Sequence, residues 1–269
     1  MISDGLKTCF AATFGGSVLF GGLVAFCILV AQFNADVSPS IPWFPLPVLG
    51  AVFGVAWWCD RRWDIGLNAP LRAPLGLVVA FAVLSMIAAR AVSVLESSYH
   101  GVTKQFPAGP EETGAVFLLI YWLTISVALS TSSELCFRGI MQAQLRRYLP
   151  LWPAIAIVVL FNTFSHPWDS LWVRFFGVMA ILFAWSWLRY ISGSLKATIL
   201  AHIGIIMGLD LMYWFIGPVD YAQVSRSTLL TIAAVGCAAL VASVYLSRRI
   251  TNSATRPADQ ILSSNSVNL

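Results

Sequence analysis

Six ionisable side chains fall inside long apolar stretches of this chain: Arg90, Glu134, Arg138, His166, His202 and Asp210. At the centre of a bilayer each costs about 2.5–3.5 kcal/mol on insertion scales, so each is a candidate for function rather than filler. A carboxylate with two imidazoles is a poor packing solution in lipid but a useful set for activating water. Glu134 and Arg138 stand four residues apart and so share a helix face. Taken by themselves they read as an ion pair that neutralises itself. His166 by itself reads as a hydrogen-bonded core histidine, and His202, close to Gly204, as a helix contact. The third histidine, His100, falls in a polar stretch and reads as a solvated surface residue.

The elements that carry these groups follow from composition. Of 269 residues, 58% are hydrophobic and 10% charged, against about 25% charged in ordinary soluble domains; mean hydropathy is +0.79. Too little charge is present to solvate the surface of a globule. A soluble enzyme, a nucleic-acid binder and a disordered chain are excluded, and the lipid bilayer is the implied environment. Apolar runs near 20 residues can cross a hydrocarbon core of about 30 Å. Eight are read, at 9–33, 41–59, 75–95, 115–143, 151–168, 171–190, 195–216 and 229–247. The first is too long for a signal-peptide core and is taken as a retained span. With the N-terminus inside, 11 of the 16 basic residues fall in cytoplasmic segments. Lys104, Arg174 and Arg226 fall outside, with Glu96, Glu111, Glu112, Asp169 and Asp220 on their side. This alternation follows the positive-inside rule. The expected fold is an all-α, polytopic membrane helix bundle of about eight transmembrane helices with cytoplasmic N- and C-termini. Residues 1–247 form one helical domain and 248–269 a flexible cytoplasmic tail. Eight tryptophans, Trp168 and Trp185 among them, fall near span ends and read as interfacial anchors or packing. Five scattered cysteines fit neither a disulfide framework nor a thiolate zinc site.

Pro150 and Pro153 mark a turn. Glu134 lies 16 residues before Pro150 and His166 16 after it. Antiparallel helices rising about 1.5 Å per residue bring the two to similar depth. His202 begins the second turn of a helix that starts after Gly193, on the same side of the membrane. Three helices are thus expected to bring polar groups to one cavity.

The stretch Ser133-Glu134-Leu135-Cys136-Phe137-Arg138-Gly139 resembles the E-E-x-x-F-R-G motif of the CAAX-processing and bacteriocin-processing (CPBP, or Abi) intramembrane proteases. Phe161 to His166 resembles that family's F-x-x-x-H motif, and Ser192-Gly193-Ser194-Leu195 followed by Ala201-His202 its Gly-Ser-Leu turn and A-H-x-x-x-N motif. Ile65-Gly66-Leu67 is similar to its Leu-Gly-Leu segment. The resemblance covers about residues 113–216. It implies an integral, multi-pass membrane endopeptidase; the positive-inside bias suits a bacterial plasma membrane, with an internal membrane of a eukaryote left open. Such an enzyme hydrolyses a peptide bond near the C-terminus of a membrane-associated protein or peptide substrate.

By that resemblance Glu134 is the base, His166 aligns the water or shares its proton, and His202 stabilises the oxyanion. Arg138 holds the Glu134 carboxylate. Two positions depart from the pattern: Ser133 stands at the first Glu, and Ile206 at the Asn of the third motif. Asn162, four residues before His166, is the candidate for the lost amide, with Asp210 a weaker one. The departures also suit an alternative, a catalytically inactive relative acting as a membrane scaffold or immunity-type protein. No cofactor is expected: the set lacks the H-E-x-x-H arrangement of a helix-borne zinc site, so a metal-free glutamate mechanism is favoured with zinc left open.

Overall fold

The structure, a computed structural model, describes residues 4–102, 113–167, 171–217 and 219–265. Lys104, Glu111, Glu112, Trp168 and Asp169 lie outside the described residues. Eight long helices follow in order: α1 Asp4–Val37, α2 Pro45–Trp63, α3 Leu75–Tyr99, α4 Ala115–Tyr148, α5 Leu151–Phe164, α6 Phe175–Ser192, α7 Leu195–Ile216 and α8 Arg226–Asn265. A single helical turn, Tyr221–Gln223, lies between α7 and α8. No strand forms among the described residues. The protein is an all-α membrane bundle, as its composition requires.

Each of the eight apolar runs is helical, but they are not equivalent. Six helices (α1, α3, α4, α6, α7 and α8) are long and apolar enough to cross a membrane. At 14 residues, α5 rises only about 21 Å, short of the hydrocarbon thickness. The expected run to residue 168 ends at Phe164 because Pro167 disfavours helical backbone at His166. There the Ser165 hydroxyl donates to the Asn162 carbonyl at 2.7 Å and closes the helix end. The chain beyond Arg248 stays helical to Asn265.

A polypeptide that must satisfy its backbone inside lipid does so through helices, and here packing among them centres on α4. It touches α1, α2, α5, α6 and α7, while α3 packs on α6 and α8. Contact between α3 and α6 is close at Gly177, where a Cβ would meet Ser93 Oγ at 1.9 Å. The first amides of α6 have no intrahelical partners; Glu96 of α3 accepts from Phe176 N and Gly177 N at 2.9 and 2.8 Å. Large apolar side chains cover the exterior, Leu46 and Phe215 each being more than four-fifths exposed. In water that surface would be untenable; in lipid it is the solvated one.

Two features position the site. Residues Glu134–Gln142 of α4 form a π-helical stretch inside an otherwise α-helical rod, an interruption found mostly at functional sites. It shifts the angular register of Arg138 and the residues after it relative to the turns before it. The second is the turn into α7. Gly193 has φ +68°, and a Cβ there would lie 2.5 Å from Arg72 Nε, so both conformation and space require glycine. Arg72 N donates to Ser192 O at 2.9 Å and Leu195 N to Gly66 O at 3.3 Å. The loop after α2 thereby clamps the start of α7 and fixes the height of His202.

Candidate active site

A cavity of about 490 Å³ opens between α1, α3, α4, α5, α6 and α7. Among its walls are Ser126, Ser130 and Ser133 of α4, Asn162 of α5, His166 beyond it, and His202 of α7. Ser133 and Asn162 meet, the Asn162 amide donating to Ser133 Oγ at 3.3 Å. That contact sets the register of the α4–α5 hairpin about one turn off the symmetric pairing about Pro150. The residue level with the start of the π stretch is Asn162, and His166 enters from the turn above it.

Glu134 is not on the cavity wall. It is fully buried, one layer behind. Its Oε1 lies 2.9 Å from His202 Nδ1 and 3.4 Å from Arg138 Nη1. Arg138 is likewise fully buried, and its Nη2 donates to the Leu182 carbonyl of α6 at 2.9 Å. One turn on, Gln142 Nε2 donates to Ser186 O at 2.9 Å. Arg138 and Gln142 thus tie α4 to α6, and the carboxylate beside Arg138 meets the cavity through His202, whose side chain is 15% exposed.

Both imidazoles are pinned by the same nitrogen. His202 Nδ1 faces the Glu134 carboxylate, and His166 Nδ1 lies 2.9 Å from the Asn162 carbonyl oxygen. A carbonyl or a carboxylate can only accept, so both Nδ1 atoms carry hydrogen and, in the neutral rings, both Nε2 atoms hold a lone pair. Trp185 of α6 stacks on His202, ring centres 5.6 Å apart at 26°, and restricts its rotation. Asn162 donating to Ser133 Oγ leaves the hydroxyl proton without an acceptor among the described residues, beside the cavity.

Residues 115–207 match the family model described as Type II CAAX prenyl endopeptidase Rce1-like. Over these residues the chain is similar to that family. No curated protein and no solved structure matches the chain. The matched segment runs from the start of α4 to the middle of α7 and includes Glu134, Arg138, Asn162, His166 and His202. It bears out the resemblance to the CPBP family over those residues. A family of membrane proteases implies a membrane-associated substrate.

The structure also assigns partners to residues that sequence left open. Arg90 of α3 donates through Nη2 to the hydroxyls of Tyr213 and Tyr221 at 2.6 and 2.5 Å. Asp210 is buried and accepts a hydrogen bond from Ser126; it does not line the cavity. Trp185, near a span end in the sequence, is buried against His202 rather than at an interface. Sequence reasoning missed Ser133 as a wall residue, and the signal for it was indirect: a small polar residue one place from Glu134, with Asn162 on the facing helix. Among the described residues no three His, Cys, Asp or Glu side chains gather as a metal cluster. A second cavity of about 690 Å³, between α3, α6 and α8, is lined chiefly by apolar and aromatic side chains and lies away from both imidazoles.

Proposed function

We propose that the protein is an intramembrane endopeptidase of the plasma membrane of a bacterium, cutting a membrane-associated substrate near its C-terminus with a water activated by His202. The supporting observation is the 2.9 Å contact between His202 Nδ1 and the buried Glu134 carboxylate. A carboxylate behind an imidazole fixes its tautomer and stabilises the imidazolium that forms when Nε2 takes a proton. Glu134 then acts through His202 rather than on the water directly, and Arg138 holds the carboxylate in place.

Water in the cavity gives one proton to His202 Nε2 while His166 Nε2 accepts its second hydrogen in a hydrogen bond. The water oxygen adds to the substrate carbonyl carbon. Negative charge on the carbonyl oxygen meets the Ser133 hydroxyl and the second amide hydrogen of Asn162, donors held in place before reaction. The imidazolium of His202 returns its proton to the departing amine, which completes hydrolysis. In this reading Asn162 and Ser133 supply what an Asn at position 206 would supply. The steps use only water and side chains of this chain.

The experiment is cleavage in liposomes that hold the full chain and a library of lipid-anchored peptides with varied C-termini, the released fragments read by mass spectrometry. Wild type releases fragments and His202→Ala does not. Equal release by both proteins removes His202 from the mechanism, and no release by wild type removes the peptidase reading.

A further inference from the structure

Arg90 is a cation among the described residues that lines the cavity and that the hydrolytic set leaves unused. It sits 16th of the 25 residues of α3, well inside a span, where an unneutralised cation is costly. No carboxylate lies within ion-pair distance of it among the described residues. Its partners are two phenols, themselves 3.4 Å apart, and both engage the same nitrogen, Nη2. Burial, reinforced by the hydrogen bond with Tyr213, pushes the Tyr221 phenol up to about 12. Tyr221 is therefore a neutral acceptor that orients the guanidinium without cancelling its charge. Nη1 and Nε make no hydrogen bond to the described residues, and Arg90 lines the same cavity as Ser133, His166 and His202.

We propose that Arg90, held by Tyr213 and Tyr221, is a carboxylate-binding subsite that receives the free C-terminal carboxylate of the peptide substrate. An oriented guanidinium with open donors facing a largely apolar cavity is the complement of one anionic group on an apolar chain. A hydrophobic peptide tail that enters a membrane cavity carries one obligatory charge, its terminal carboxylate. Leaving that anion unpaired in the cavity would be costly, and pairing it neutralises Arg90 in the same step. His202 and Tyr213 stand eleven residues apart on α7, about 16 Å along the axis, a span that about five extended residues cover. The subsite therefore selects chain ends and sets where they lie relative to the imidazoles.

This subsite deepens the peptidase reading and rests on it for the identity of the ligand, but its test needs no turnover. Full-length protein in detergent micelles is titrated with a fluorescein-labelled hexapeptide of alternating Ala and Leu. One form ends in a carboxylate and the other in a carboxamide, and binding is read by polarisation. Wild type binds the acid about tenfold more tightly than the amide or better, the scale of a charge-assisted hydrogen bond. Arg90→Gln brings the two within about twofold by weakening the acid alone, and Arg90→Lys, which keeps the charge, retains part of the preference. No preference in wild type, or a preference that survives Arg90→Gln, overturns the subsite. Displacement of the acid peptide by short-chain phosphatidylglycerol at equal concentration overturns it too, because the guanidinium then reads lipid phosphate. Acid preference without cleavage leaves the subsite standing and removes the peptidase; cleavage of acid and amide alike, with equal binding, does the reverse.

Discussion

Arg138 and Arg90 both lie well inside membrane-spanning helices, and the fold treats them in opposite ways. Arg138 is fully buried, 3.4 Å from Glu134 and bonded to the backbone of α6. Arg90 is half-buried on a cavity wall, held by two neutral hydroxyls and facing no carboxylate among the described residues. The first charge is spent inside the structure: it steadies the carboxylate that in turn steadies His202. The second is available. The contrast separates a charge that builds a site from one that can meet a ligand, and the two should respond differently to removal.

The largest difference is expected at the sealed pair. Arg138→Met leaves Glu134 buried without its closest guanidinium, with His202 at 2.9 Å as its remaining ion-pair partner among the described residues. Breaking a buried pair by removing one partner typically costs about 3–5 kcal/mol. A marked fall in thermal unfolding temperature in detergent, with loss of peptide release, is the expected outcome. Stability within about 1 kcal/mol of wild type would mean that the pair is solvated and the layered arrangement wrong.

A smaller effect is expected at Gly193, whose turn launches the helix that serves both arginines. His202 and Tyr213 are both on α7. Gly193→Ala places a Cβ 2.5 Å from Arg72 Nε at a φ of +68°, and a strained backbone position of this kind costs about 1–3 kcal/mol. Limited proteolysis and thermal unfolding should register the loss. A proportionate drop in peptide release would show that the height of α7 matters to the chemistry. Unchanged release with lowered stability would confine the turn to a structural role.

How much of this could be read from the sequence divides along the same line. Period and composition placed every long helix, because burying backbone in lipid leaves little choice. The sealed pair was legible too, since four-residue spacing puts Glu134 and Arg138 on one face whatever the surroundings. What could not be read was the direction in which that face points. Glu134 lies off the cavity wall and fully buried, and nothing in the order of residues announces which way the helix presents that face or where the π-helical stretch interrupts it. Depth was off by a turn on α5 for a similar reason: symmetry about Pro150 assumes helices of equal length, whereas α5 stops at Phe164. The Arg90 cluster joins positions 90, 213 and 221, separations that no local pattern encodes. Trp185 shows the same limit, since a position near a span end does not fix which way an indole faces.

The smallest effects are expected when whole charges are removed rather than orphaned, and these sharpen the comparison most. Glu134→Leu with Arg138→Met removes both members of the sealed pair. Replacing a buried ion pair by apolar residues of similar volume is often neutral or stabilising, so this double variant should regain most of the stability lost in Arg138→Met while His202, deprived of its carboxylate, stays inactive. Arg90→Met asks the same of a single open charge. It forfeits two hydrogen bonds to phenols, which cavity water can replace at small cost, and it relieves the protein of a cation that costs about 2.5–3.5 kcal/mol to keep at mid-membrane. The terms oppose, and the expected change in unfolding free energy is within about 1 kcal/mol, of either sign. If Arg90→Met instead unfolds the protein as Arg138→Met does, the phenol cluster is a structural clamp, and the distinction between a charge that builds the site and one left open to a ligand disappears.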